Sequence, residues 1–159
     1  MIAILSDFGD SEHLGEMKGA IYRINQKAVL ADLCNSIASH MVKEAACILL
    51  RSHIHFPKGT VFLCVVDPGV GGKRKPIAVE AKNYWFVGPD NGLMYPAAEK
   101  GGIERIIELR VPKNAAKTFH GRDVFAPAAA QIDLGKSPIG NEISAMKKQN
   151  AMAVGNWTS

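Results

Sequence analysis

The sequence predicts an α/β fold, a mostly parallel sheet sandwiched by helices, and three observations carry that expectation. Apolar runs of strand length alternate with segments of helical period along most of the chain. The connections between them are short, so successive elements should lie side by side with helices covering the sheet. The run "TVFLCVVD" is continuously apolar up to one carboxylate, the pattern of a central strand buried on both faces.

Taken in order, "IAILSDF" is a short strand ending at Asp7. From Leu14 to about Gln26, the recurrence of Leu14, Met17, Ile21 and Ile24 has helical spacing. "AVLADL" is a second strand. Ser39 is the expected N-cap of a helix reaching about His55, with Met41, Ala45, Ile48, Leu49 and Ser52 on its inner face. "FPKG" ends that helix, and the central strand follows. "PIAVEA" and "YWFVG" are strands joined by a turn at Lys82 and Asn83. "PDNG" is a turn before the short helix "LMYPAAEKGG", and "IERIIELR" alternates as a strand. "DVFAPAAAQIDLG" is a helix with Asp123 near its start and Pro127 in or near the first turn. Residues 1–140 form one α/β domain in this reading, and 141–159 a tail or the start of a linker.

Bulk properties narrow the function. A chain of 159 residues supports one domain with a sizeable core. No apolar run approaches the ~20 residues of a membrane span, and the start has the pattern of a first strand, not a signal peptide. A cytoplasmic setting is expected, with no membrane partner. The net charge of +4 comes from scattered cations, without the basic face interleaved with aromatics that nucleic-acid binding uses. Cys34, Cys47 and Cys64 lie far apart with no zinc-like spacing, so free thiols and no metal are expected. His40, His53 and His55 likewise lack metal spacing and are expected to be structural or exposed.

Chemistry should gather outside the carboxyl ends of the strands. Asp7 and Asp67 occupy such positions, and the "PDNG" and "TFHGRD" segments leave strand ends or open helices. The glycine loop after Asp67 fits neither common phosphate cradle. Counting back from Gly72-Lys73 puts Asp67 where a P-loop needs glycine and Arg74 where it needs Ser or Thr. The dinucleotide fingerprint fails too, because Arg74 replaces its third glycine and a strand follows. Taken singly, Asp67 is more often a turn or cap residue, Arg74 a solvated cation and His120 a loop or capping residue. Together they are a carboxylate, a guanidinium and an imidazole, groups that position water and shift one another's proton affinity. The PDNG turn is either pure turn chemistry or a lining of the same edge.

Five segments, "SDFG", "GEMKGAI", "FPKGTVFLCVVDPGVG", "FVGPDNGLM" and "TFHGRDVFAPAAA", occur in an order and spacing that resembles the N-terminal domain of the S-adenosylmethionine hydroxide adenosyltransferase family, hydrolytic relatives of adenosyl fluorinases and chlorinases. The resemblance covers about residues 1 to 140. It implies a Rossmann-like domain in which Asp67, Arg74 and His120 activate water for attack on C5′ of S-adenosylmethionine, releasing adenosine and methionine. It implies that Asp7 holds the ribose hydroxyls, for which a carboxylate has enough acceptor sites, with Phe8, Asp90 and Asn91 as further substrate contacts. Halide-using relatives carry Tyr-Pro in place of Asp67-Pro68 and Tyr-Ser in place of His120-Gly121, so the resemblance points to water as the nucleophile. No cofactor is implied beyond the substrate. The family's assembly is a homotrimer whose site is completed by a β-rich C-terminal domain, which this sequence is expected to lack. A module that binds S-adenosylmethionine or adenosine without turning it over is the alternative function.

Overall fold

The computed structural model describes residues 1–149, so residues 150–159 of the expected tail lie outside the described residues. Among the described residues seven strands form one sheet: β1 (Ile2–Ser6), β2 (Leu30–Cys34), β3 (Val61–Val65), β4 (Pro76–Ala81), β5 (Trp85–Pro89), β6 (Ile103–Leu109) and β7 (Gly140–Ile143). Their order across the sheet is β2-β1-β3-β5-β4-β6-β7. The neighbours β2, β1, β3 and β5 are parallel. β4 runs against both β5 and β6, and β7 runs against β6. Five strands, the parallel four and β6, therefore share one direction, and the fold class is as the sequence predicts. The reversal at β4 has a local cause. Only three residues separate it from β5, and Ala81 donates its backbone N–H to Tyr84 O at 2.9 Å, closing a hairpin that a parallel pair could not use.

Alternation along the strands builds a core on each face. Ala3, Leu5, Phe62, Cys64 and Phe86 point to one side, against Ala45 and Leu49 of α2 (Val42–Ser52) and Ala97 and Ala98 of α3 (Tyr95–Gly101). Ile2, Ile4, Val61, Leu63 and Val87 point to the other, against Met17 and Ile21 of α1 (Glu12–Ile24) and Ala126, Ala129 and Ala130 of α4 (Ala126–Asp133). Alanines on α4 let that helix approach α1 and the sheet closely, and each large side chain sealed between the layers contributes about 1.5–3 kcal/mol. Phe62 and Phe86 are cross-strand partners with stacked rings 5.4 Å apart, edged by Tyr84 and by His53, whose Nδ1 donates to the carbonyls of Leu49 and Leu50. His53 is thus a structural core histidine. The three thiols are free, Cys64 fully buried and the others partly so.

Three local expectations differ from the structure. Ser39 is not the cap of α2: the helix begins at Val42, and Met41, expected inside, is 48% exposed. Residues 38–41 are held instead by a local turn, Met41 N–H to Ala38 O, and by the backbone of His40 bonding to Asp7. The helix of the "TFHGRD" segment begins earlier than expected, as a π-helical turn at Gly121–Phe125 running into α4. Finally, part of the expected tail belongs to the sheet. Gly140–Ile143 pair with β6, and Met146 is buried in the core. No helix among the described residues is long and apolar enough to cross a membrane.

Candidate active site

The four parallel strands end at one edge, and the segments that leave it build a cleft of about 400 Å³. Asp7 and Phe8 come from the end of β1, Asp67 and Val70 from the loop after β3, Ser11 and His13 from the start of α1, Ser39 and His40 from the turn before α2, and Thr118 to Gly121 from the segment before α4. This is where an open α/β sheet places a ligand.

The glycine loop brings Arg74 back to Asp67. Val70 N–H donates to Asp67 O and Gly72 N–H to Gly69 O, two tight turns that reverse the chain within seven residues. Gly71 has φ +73°, and a Cβ there would sit 2.4 Å from the carbonyl oxygen of Lys117. Only glycine meets both demands, and the loop thereby lies against the segment that carries His120. Arg74 Nε donates to Asp67 Oδ1 at 2.9 Å and Nη2 to Oδ2 at 2.6 Å. The same Nη2 lies 2.9 Å from His120 Nδ1. The side chains of Arg74 and Asp67 are only 9% and 6% exposed, and the guanidinium stands over the Phe125 ring at 5.3 Å. The three residues singled out in the sequence therefore form one bonded chain.

That chain decides the tautomer of His120. A guanidinium has donors only, so Nδ1 must accept, and the neutral ring carries its proton on Nε2. Burial first, and the Arg74 charge second, hold the His120 pKa below the ordinary 6.5, with Asp67 and Asp123 opposing them. Protonating Nδ1 would set two cationic donors face to face. Burial shifts His53 in the same direction, with the charge of Lys100 adding to it and the Leu49 and Leu50 carbonyls opposing. In the unfolded chain both rings take a proton near 6.5; in the fold they do so only at lower pH. Their contribution to stability is therefore complete above that value and is lost as pH falls through the lowered folded values. The unfolding free energy should rise as pH is raised toward and through about 6.5. Urea denaturation at stepped pH checks this, and a flat or falling profile would contradict it.

The π-helical turn places His120. Gly121 packs so closely that a Cβ would come within 3.1 Å of Val65 Cγ1 and 3.3 Å of Met17 Sδ. Asp123 accepts from Ala116 N–H at 2.8 Å and from Arg122, which also pairs with Glu16 and lies 4.9 Å over the Phe119 ring. The loop before His120 is thereby fastened to both α1 and the π turn.

Across the cleft Asp7 Oδ2 accepts from the backbone N–H of His40 at 3.0 Å. His40 sits in the left-handed region at φ 66°, the one non-glycine residue to do so among those described. Phe8, His13 and Phe119 form an aromatic wall, Phe8 edge-on to Phe119 at 5.6 Å and His13 at 5.2 Å from Phe119. Asp7, Phe8, Asp67 and His120 thus line the cleft, with Arg74 directly behind. Asp90 and Asn91 do not line it. Asp90 Oδ1 accepts from the backbone of Lys147 at 2.7 Å, and Asn91 Nδ2 donates to the carbonyl of Val66 at 2.9 Å, so both turn inward to other backbone segments. His13, Ser39, His40 and Phe119 were missed as lining residues. Phe119 stood inside a motif already singled out; nothing in sequence marks the backbone conformation of His40. Among the described residues no group of three or more His, Cys, Asp or Glu is arranged to hold a metal ion.

The family model described as the SAM hydroxide adenosyltransferase N-terminal domain matches residues 2–141. The chain belongs to that family. A relative from Methanocaldococcus jannaschii named (R)-S-adenosyl-L-methionine hydrolase is 39% identical over 155 residues, covering 93% of this chain and 59% of that protein. One of the same name from Thermus thermophilus is 37% identical over 152 residues, covering 87% and 59%. A fluorinase from Actinopolyspora mzabensis is 25% identical and covers 85% and 54%. A crystal structure of an uncharacterized conserved protein from Thermotoga maritima superposes with a TM-score of 0.90 at 38% identity, covering 94% of this chain and 60% of that one. The chain thus spans between half and two thirds of these family relatives.

Proposed function

We propose that this chain is the catalytic part of an enzyme that hydrolyses S-adenosylmethionine to adenosine and L-methionine. The observation that carries the reading is the buried Asp67–Arg74–His120 chain at one side of a cleft whose other side presents Asp7. The names of the relatives supply the substrate, in its (R) form. In this reading Asp7 receives the ribose hydroxyls, and the aromatic wall faces the sulfonium, a cation that ring faces attract. With Nδ1 turned to Arg74, His120 offers only an Nε2–H and orients the water by donating to its oxygen. Asp67 keeps acceptor capacity beyond the Arg74 bonds and takes the proton. The water oxygen forms a bond to C5′, the C5′–S bond breaks, and its electron pair returns to sulfur as a neutral thioether. Departure neutralises the sulfonium, so the leaving group needs no further activation and the reading needs no cofactor or metal.

A homotrimer in the cytoplasm belongs to the same proposal, the former checked by the particle mass in solution. One observation favours a second reading, a module that binds the nucleoside without turnover: both carboxylate oxygens of Asp67 already accept from Arg74. Incubation of the chain with (R)-S-adenosylmethionine and chromatography of the products separates the two. Adenosine and methionine in equal amounts support the hydrolase. Intact substrate together with a raised melting temperature supports the binding module, since ligand at 100 times Kd stabilises by about 2.7 kcal/mol.

A further inference from the structure

Asp90 and Asn91, turned away from the cleft, hold three backbone segments that are distant in sequence. Asp90 N–H donates to Lys75 O at 2.8 Å, Asn91 Nδ2 donates to Val66 O at 2.9 Å, and Asp90 Oδ1 accepts from Lys147 N–H at 2.7 Å. Val66 is the residue before Asp67, and Lys75 is the residue after Arg74. The turn therefore grips the peptides on either side of the ion pair without touching the pair. Val66 is fully buried, so its carbonyl has no bulk water to replace Asn91. Asn91 Oδ1 also accepts from Leu93 N–H at 3.2 Å, which fixes which way the amide faces.

We propose that Asn91 is a positioning residue for the Asp67–Arg74–His120 chain, acting by anchoring the Val66 carbonyl from which Asp67 projects. The position needs a donor and an acceptor on one short side chain, which Asn supplies and Asp does not. Arg74 Nη2 reaches Asp67 and His120 at 2.6 and 2.9 Å together, so a small displacement of Asp67 draws the guanidinium away from the imidazole. The proposal rests on the hydrolase reading for its kinetic test and not for its spectroscopic one.

The test compares Asn91→Asp, which keeps the acceptor toward Leu93 and loses the donor toward Val66, with the parent chain. Asn91→Ser, whose hydroxyl can still accept from Leu93 but is too short to reach Val66, serves if the first variant does not fold. Tyr84→Phe is the control: it removes another bond to a backbone carbonyl, from Tyr84 OH to Phe56 O at 2.8 Å, away from the cleft. The Asn91 variant should lower kcat about 10- to 100-fold with KM within about twofold, the pattern of misaligned reacting groups. In nitrogen-15 spectra the His120 Nδ1 signal should move in the Asn91 variant and stay in place in Tyr84→Phe. An unmoved His120 signal in the folded Asn91 variant, or an equal movement in the control, would overturn the proposal. If the parent chain itself leaves S-adenosylmethionine intact, the hydrolase reading fails alone, and the His120 signals still decide the role of Asn91.

Discussion

Asp67→Asn should cut turnover of S-adenosylmethionine by about 10²- to 10⁴-fold, the range associated with loss of a positioned general base. The amide keeps an oxygen for Arg74 Nε, so the loop should still close on itself and the cleft should keep its shape. The melt should still move down, by part of the roughly 3–5 kcal/mol that breaking a buried pair from one side costs, because Arg74, 9% exposed, loses its anion and Nη2 loses an acceptor. KM should change little, because Asp7 and the aromatic wall hold the substrate in this account. Initial rates and a thermal melt on the same preparation check both halves. Near-parent turnover would remove Asp67 from the chemistry.

Arg74→Met should be the most destabilising change at the site. It leaves the Asp67 carboxylate, 6% exposed, without its cation, and it takes a donor from His120 Nδ1. Breaking a buried pair from one side typically costs about 3–5 kcal/mol, whereas replacing both partners with apolar groups of similar size is often neutral or better. The double variant Asp67→Leu/Arg74→Met should accordingly regain most of the stability lost in the single one and none of the activity. Urea denaturation of the three chains gives the comparison. A double variant no more stable than Arg74→Met alone would mean that the pair is not the source of the loss.

Much of the fold was legible because its signals are local or periodic. The unbroken apolar run of β3 could only be a strand covered on both sides, and Lys82–Asn83 between two β runs could only be a tight reversal. The start of α2 was not legible, since Ser39 is a good cap by residue type and loses that role to a turn whose His40 backbone bonds a residue 33 positions away. The start of the last helix was obscured for a similar reason: the π turn depends on Gly121 fitting against Val65 and Met17.

The site divides in the same way. Asp67, Arg74 and His120 stood out by chemistry and motif, but their contact depends on Gly71 nesting against the Lys117 carbonyl, a tertiary fit with no local signature. Asp90 and Asn91 show the converse. Polar turn residues at a strand end look alike whether they face a ligand or a neighbouring backbone, and here both face backbone. The span of the domain was underestimated at its C-terminal side because β7 is an exposed edge strand, whose short GNEI run carries no hydrophobic alternation.

If water attacks C5′ within the cleft, the fate of solvent oxygen shows it. S-adenosylmethionine incubated with the chain in heavy-oxygen water should yield adenosine carrying the heavy isotope at its 5′-hydroxyl and methionine free of it. Products formed with no label in adenosine, or cleavage that leaves the C5′–sulfur bond intact, would contradict the account.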